Sequence, residues 1–250
     1  MSKDILAVVP ARHGSTRLPC KPLVKIGGKP LLYWVLRGLS ECEVSEIVVA
    51  TDHEEIAKFV FKQGYEAVMT PSELPSGSNR TAWVAQRKSA DIILNVQVDD
   101  PMVGPDMVDP LIKALANSEE ANVALLVKQI EKADEISNPN IVKAVFDQKM
   151  HALYFSRSPI PYERNKGAVY YKHIGPYCYR REFLLEFDSW PQSPLEKTES
   201  LEMLRILERG YDILCIESER DTIEIDTPED VMIFERYLEK HGDEMPWLKG

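Results

Sequence analysis

Cysteine is sparse in this 250-residue sequence. The four present, Cys20, Cys42, Cys178 and Cys215, form no C-x-x-C pair, which excludes a zinc knuckle or a thioredoxin-type motif and leaves reduced structural thiols as the expectation. No apolar run approaches a membrane span. The first one, at 5–9, has neither the length of a signal-peptide core nor a small-residue cleavage site after it, so a cytoplasmic protein with no membrane partner is expected. None of the five histidines stands in an H-x-x-x-H or H-E-x-x-H pair. G-x-x-x-x-G-K-[ST] is absent and no G-x-G-x-x-G follows a strand-like run, which weakens kinase-type and dinucleotide-redox readings. Internal repeats and low-complexity segments are missing too.

What is present is an ordinary globular composition, 44% hydrophobic and 28% charged, in a chain long enough for one sizeable core with insertions. Thirty basic residues against forty acidic ones leave a formal net charge of −10, so the molecule as a whole repels nucleic acid. Short apolar runs at 5–9, 47–50, 67–69, 92–96 and 123–127 read as strands buried on both faces. Helical patterns lie between them: one opened by Pro30 at its first position, and one over 54–63 capped by Asp52 and stopped by Gly64. This alternation predicts an α/β fold with a mostly parallel, doubly wound sheet and ligands at the carboxyl ends of its strands.

The stretch 128–191 differs, being rich in proline and tyrosine. It reads as a partly antiparallel insertion within a single 1–250 domain, with a hairpin of 141–146 and 152–155, and as the contact of a homodimer. Beyond it, 194–209 is expected to be helical, 213–216 a strand and 227–240 a final helix opened by Thr227, Pro228 and two acids. Residues 241–250 read as a loosely held tail.

Charge is unevenly placed. Between Ile5 and Ser40 there is no Asp or Glu, whereas even spreading would put about six in such a window. The same window carries Arg12, Arg17, Lys21, Lys25, Lys29 and Arg37, with Gly14, Ser15 and Thr16 beside the first two. A basic loop with free backbone N–H groups and hydroxyls after a strand has the composition of a phosphate site; a solvated surface loop is the alternative. Asp99 and Asp226 are each expected to close a strand, and if both strand ends face one crevice the two acids can share a hard divalent ion. A turn acid before Pro101 and a helix-start acid are the plainer readings of the two.

Pro10–Leu23, P-A-R-H-G-S-T-R-L-P-C-K-P-L, resembles the loop of nucleotidyltransferases that activate acidic sugars. In the same order follow A-T-D at 50–52, P-S-G-S-N-R at 75–80, N-V-Q-V-D-D-P at 95–101, N-P-N-I-V-K at 138–143 and Y-F-S-R-S-P-I-P at 154–161. H-I-G-P-Y-C-Y-R at 173–180, S-P-L-E with L-E-M-L-R over 193–205 and D-T-P-E-D at 226–230 complete the series. Together they resemble the 3-deoxy-manno-octulosonate (Kdo) cytidylyltransferases nearly end to end.

The resemblance implies transfer of CMP from CTP to the anomeric hydroxyl of an acidic eight-carbon sugar, with release of pyrophosphate, for lipopolysaccharide biosynthesis. It assigns the phosphates to Arg12, Ser15, Arg17 and Lys21, Mg2+ to Asp99 and Asp226, and the base to Ser78 and Arg80. It assigns the sugar to Gln97, Arg157, His173, Tyr177 and Glu202. Arg12, Lys21, Asp99 and Asp226 are then the catalytic set, acting by charge and positioning. Tyr177 as a packing aromatic and His173 as an exposed strand residue are the plainer alternatives.

The chain departs from the family pattern at Cys20 (usually Gly), Ser78-Asn79 (Thr-Asp or Thr-Glu), Val98 (Gly), Asp100 (Glu) and Met203 (Gln). Asp100 is the weaker ligand candidate, since strand neighbours point to opposite faces. These changes fall where base and sugar are expected, and with Glu199 and Glu202 nearby they raise an 8-amino analogue of Kdo as substrate. A CMP-sialic acid synthetase, a CTP-binding regulator without catalysis and a glycosyltransferase on a related sheet are the competing readings.

Overall fold

The computed structural model describes residues 3–15 and 17–249, so Thr16 of the basic loop lies outside the described residues. The chain divides into two compact units, Met1–Asp109 with Thr222–Gly250, and Pro110–Asp221.

In the first unit β1 (Ile5–Ala11) leads through a small antiparallel pair, β2 (Lys25–Ile26) and β3 (Lys29–Pro30), into α1 (Leu31–Leu39). There follow β4 (Glu46–Thr51), α2 (Glu54–Lys62), β5 (Glu66–Met69), α3 (Gly77–Ala85) and β6 (Ile92–Asn95). The strands pair in the order β6-β1-β4-β5, all parallel, with Val8 opposite both Val48 and Asn95. Every residue of β1 is buried, which is why its sequence is an unbroken apolar run rather than an alternating one. Each parallel pairing needs a crossover, and the helices supply it.

Two boundaries differ from expectation. Pro30 ends β3 and stands at the N-cap of α1, one residue before the helix. The cap of α2 is His53, whose Nδ1 accepts the Glu55 N–H; Asp52 is turned to other partners. Gly64 does close that helix, at φ +84°.

The chain enters the second unit within α4 (Pro105–Asn117). Here lie β7 (Val123–Gln129), α5 (Ala133–Ser137), β8 (Lys143–Phe146), β9 (Ala152–Ser156), β10 (Tyr171–Arg180), α6 (Arg181–Asp188), α7 (Pro194–Glu199), α8 (Glu202–Leu207) and β11 (Ile213–Glu217). β7 pairs β11 in parallel and β10 in antiparallel fashion, and β8 pairs β10 and β9 antiparallel, so the expected hairpin is present. The helix expected over 194–209 is two helices. Ser200 adopts φ +54° at the cap of α7, breaking the turn before Leu201 and Glu202 start again.

The first unit resumes at Thr222 and closes with α9 (Pro228–His241), capped by a reciprocal Thr227–Asp230 box. The segment before α9 is not a strand, and β6 ends four residues before Asp99, so neither acid closes a strand. The expectation of a loose tail is also corrected. Residues 246–248 form a 3-10 turn whose Trp247 and Leu248 are 8% and 2% exposed, in one apolar cluster with Ile26, Trp34 and Phe234. A side chain at Gly104 would meet the Trp247 ring at 2.3 Å, so the fold keeps that position bare for the indole. Burial of the two large apolar groups outweighs the entropy of ordering a terminus.

Candidate active site

A cavity of about 230 Å³ opens at the carboxyl ends of the parallel strands of the first unit. Three loops and the start of α9 build it. Arg12, Ser15, Arg17 and Lys21 come from the loop after β1; residues 74–77 and Arg80 from the segment entering α3; Gln97, Val98 and Asp99 from the turn after β6; and Asp226 from the residue before the Thr227 cap.

The basic loop presents its cations in different states. Arg12 is exposed and has no side-chain partner among the described residues. Arg17 Nη2 lies 3.0 Å from Asp226 Oδ2, with two-thirds of its side chain in solvent. Lys21 is drawn inward by Cys20, which takes a left-handed φ of +53° at the start of a short 3-10 turn. Its Nζ donates to Asp99 Oδ2 at 3.0 Å and to Asp226 Oδ1 at 2.8 Å. Burial pulls the Lys21 ammonium down, but the two carboxylates outweigh it and leave its pKa above the ordinary lysine value.

Asp99 and Asp226 therefore converge on one point, although they come from distant parts of the chain. The Asp99 carbonyl accepts the Ile225 N–H at 2.8 Å, and Asp230 Oδ2 holds the Asp226 and Thr227 N–H groups at 3.0 and 2.8 Å. Converging carboxylate oxygens are the donor set a hard divalent ion takes, one or two from protein with phosphate and water completing the shell. The residues present fit such an ion.

Asp100 is turned away from this point. It is 4% exposed, and its Oδ1 accepts from the Met102 N–H at 3.1 Å and from the Thr222 hydroxyl. Glu224 had no signal in the sequence, yet it faces the same acids. Desolvation first, and then the charges of Asp99, Asp100 and Asp226, push its carboxyl upward, against the pull of Lys21.

Gln97 Nε2 donates to Asn95 Oδ1 at 2.9 Å, and a Cβ at Gly77 would stand 2.9 Å from the same Nε2. Gly77 is thus what lets the Gln97 amide reach the start of α3. Ser78 is 5% exposed and accepts a 3.4 Å bond from Asn95 Nδ2; it is not part of the cavity wall. Arg80 is in the wall, but its Nη1 and Nη2 already donate to Thr70 Oγ1, the Pro71 and Ser72 carbonyls, and Asp52.

The remaining residues expected at a sugar lie in the second unit. The Arg157 guanidinium donates to the carbonyls of Glu199 (2.7 Å), Pro139 (2.9 Å) and Ser200 (3.4 Å). Glu199 in turn accepts from Ser156 Oγ and the Arg157 N–H. His173 packs its ring against Phe155 and Tyr177; its Nε2 is shut off from solvent without a hydrogen-bond partner, and burial lowers its pKa to about 4. Tyr177 stacks on Tyr179, Glu202 stands 3.7 Å from Arg205 at the start of α8, and Met203 is buried.

Known proteins give a consistent picture. The cytidylyltransferase family profile matches residues 6–213. A 3-deoxy-manno-octulosonate cytidylyltransferase of Thermodesulfovibrio yellowstonii is 42% identical over 95% of this chain and 99% of its own length, and one of Geobacter sulfurreducens is 41% identical with the same coverage. Among solved structures, a CMP:2-keto-3-deoxy-manno-octonic acid synthetase complexed with CTP superposes with a TM-score of 0.91 at 39% identity, covering 95% of this chain and 99% of that one. A 4-diphosphocytidyl-2C-methyl-D-erythritol synthase of Anaerococcus prevotii, 18% identical with a TM-score of 0.64, shares the fold.

Proposed function

The chain belongs to the cytidylyltransferase family, among the 3-deoxy-manno-octulosonate cytidylyltransferases, and on that premise we propose that it transfers CMP from CTP to the anomeric hydroxyl of Kdo. The observation that carries the reading to this chain's own residues is the convergence of Asp99 and Asp226 on Lys21 in a cavity rimmed by Arg12, whose side chain has no partner among the described residues. Arg12, Ser15, Arg17 and Lys21 hold the triphosphate, where each charge-assisted bond is worth about 1.5–3 kcal/mol. The anomeric hydroxyl gives up its proton to water as its oxygen attacks the α-phosphorus in line, the bond from that phosphorus to the bridging oxygen opens, and pyrophosphate leaves with its charge met by these cations. Asp99 and Asp226 are the residues that would hold Mg2+, which when bound neutralises phosphate charge and polarises the α-phosphoryl group.

Of the residues that the resemblance assigns to the base and the sugar, Arg80 and Gln97 stand in the cavity wall; Ser78 is buried outside it, and Arg157, His173, Tyr177 and Glu202 belong to the second unit. The same reading makes the product a precursor for lipopolysaccharide and the enzyme a cytoplasmic homodimer. No helix among the described residues is long and apolar enough to cross a membrane, and the exposed Leu153, Tyr162 and Val169 of the 128–191 stretch support a contact there. A second reading, the 8-amino analogue of Kdo as the better substrate, is favoured by the apolar, buried Met203 where the family resemblance leads one to expect glutamine, beside Glu202.

Pyrophosphate release with CTP, Mg2+ and Kdo tests the proposal. Release with Kdo supports it. CTP binding without release supports a regulator instead, release only with N-acetylneuraminate a sialic acid synthetase, and slow CMP-sugar hydrolysis without synthesis a glycosyltransferase. Comparing Kdo with its 8-amino form decides the second reading, and equal or better use of Kdo discards it.

A further inference from the structure

We propose that Asp52 is a positioning residue that ties the basic loop after β1 to the polar loop before α3, and so sets the spacing between the triphosphate and base halves of the nucleotide site. The proposal rests on the cytidylyltransferase reading and adds to it a residue that the sequence offered only as a helix cap and as part of the A-T-D run.

Asp52 sits at the carboxyl end of β4. Its Oδ1 accepts the His13 backbone N–H at 2.9 Å, and its Oδ2 accepts Arg80 Nη2 at 2.9 Å. Arg80 extends the connection, donating to the Thr70 hydroxyl and to the Pro71 and Ser72 carbonyls at 3.2 and 3.3 Å. The pair is out of water, the Arg80 side chain 2% and the Asp52 side chain 12% exposed, so losing either partner leaves the other charge buried and unmatched.

Neither Asp52 nor His13 belongs to the cavity wall, whereas Arg12 and Ser15 on either side of His13 do, as do residues 74–77 beyond the segment that Arg80 holds. The carboxylate thus touches the basic loop directly and the polar loop through Arg80 of α3, and itself stands outside the cavity wall. A second fastening secures the same loop: the His13 ring stacks on His53, the cap of α2, with centroids 3.9 Å apart. Base and phosphates are covalently joined in one ligand, so the affinity gained from binding both depends on the spacing of the half-sites being set beforehand. The Asp52 carboxylate sets it.

Asp52→Asn keeps the size and one acceptor but turns an amide NH2 toward the Arg80 fork. In steady-state assays with CTP, Kdo and Mg2+, the KM for CTP is expected to rise about tenfold while kcat at saturating CTP stays within about threefold and the KM for Kdo is unchanged. A merely structural role would lower the melting temperature and degrade all three constants together, and that result overturns the proposal. So does a folded variant with the wild-type KM for CTP. Should Asp52→Asn not fold, Asp52→Glu, which keeps the charge but is one methylene too long to hold both the His13 N–H and the Arg80 fork in place, must show the same split, and its absence overturns the proposal. Lack of turnover in the wild-type protein overturns the underlying reading and this proposal with it; normal wild-type turnover with unchanged variants overturns this proposal alone.

Discussion

Arg12 and Arg157 are both arginines at positions expected to grip an anion, one in each unit, and their surroundings are opposite. Arg12 is exposed and has no side-chain partner among the described residues, whereas Arg157 already donates to three backbone carbonyls. The first is a charge left open at the cavity wall. The second supports the 139 and 199–200 turns around it. Lys21 lies between these cases, pinned by two carboxylates that are themselves expected to serve a cation. A charged side chain recruited for binding is the one whose partners the fold leaves out, and composition cannot show that.

Asp99→Asn should break the first unit's site most severely. A loss of kcat of about 10²–10³-fold in pyrophosphate release is expected, with an unchanged melting temperature, because one of two converging charges goes while the shape remains. A near-normal rate would remove Asp99 from the metal site. Arg12→Ala should raise the KM for CTP by about 10–100-fold without a stability change, since no internal bond is lost. The matching change in the second unit, Arg157→Ala, should destabilise the fold by about 1.5–3 kcal/mol in urea titration while leaving the KM for CTP as it was. If it instead left stability intact and spoiled only the sugar KM, the contrast between the two arginines would fail.

The smallest effect expected is a pH dependence at His173. Its folded pKa of about 4 lies below the usual 6.5, so the unfolded chain takes up the proton first. Stability is full above about pH 6.5 and falls on acidification toward pH 4, by at most about 1.4 kcal/mol per pH unit and less where solvent reaches the ring. Between pH 7 and 5 the melting temperature of the wild type should fall relative to that of His173→Phe, which has no ring nitrogen to protonate.

The sequence alone determined β1 and β6, because a strand buried on both faces must be apolar throughout, though the apolar run at 67–69 belongs to β5, which has no buried residue; it also determined the α9 cap, because Thr227, Pro228 and Asp230 act within one turn. It marked the basic loop through the missing acids and named both Asp99 and Asp226. It made Asp52 a helix cap, made 194–209 one helix and left Trp247 in a loose tail, since a local pattern carries no record of distant partners. Only the tertiary structure decided that Asp52 serves His13 and Arg80, that Glu224 faces the two acids, that Trp247 fills the space bare Gly104 leaves, and that Arg157 is already bound. Secondary structure follows from interactions a few residues long, but whether a charge is free or satisfied depends on which remote segment folds against it.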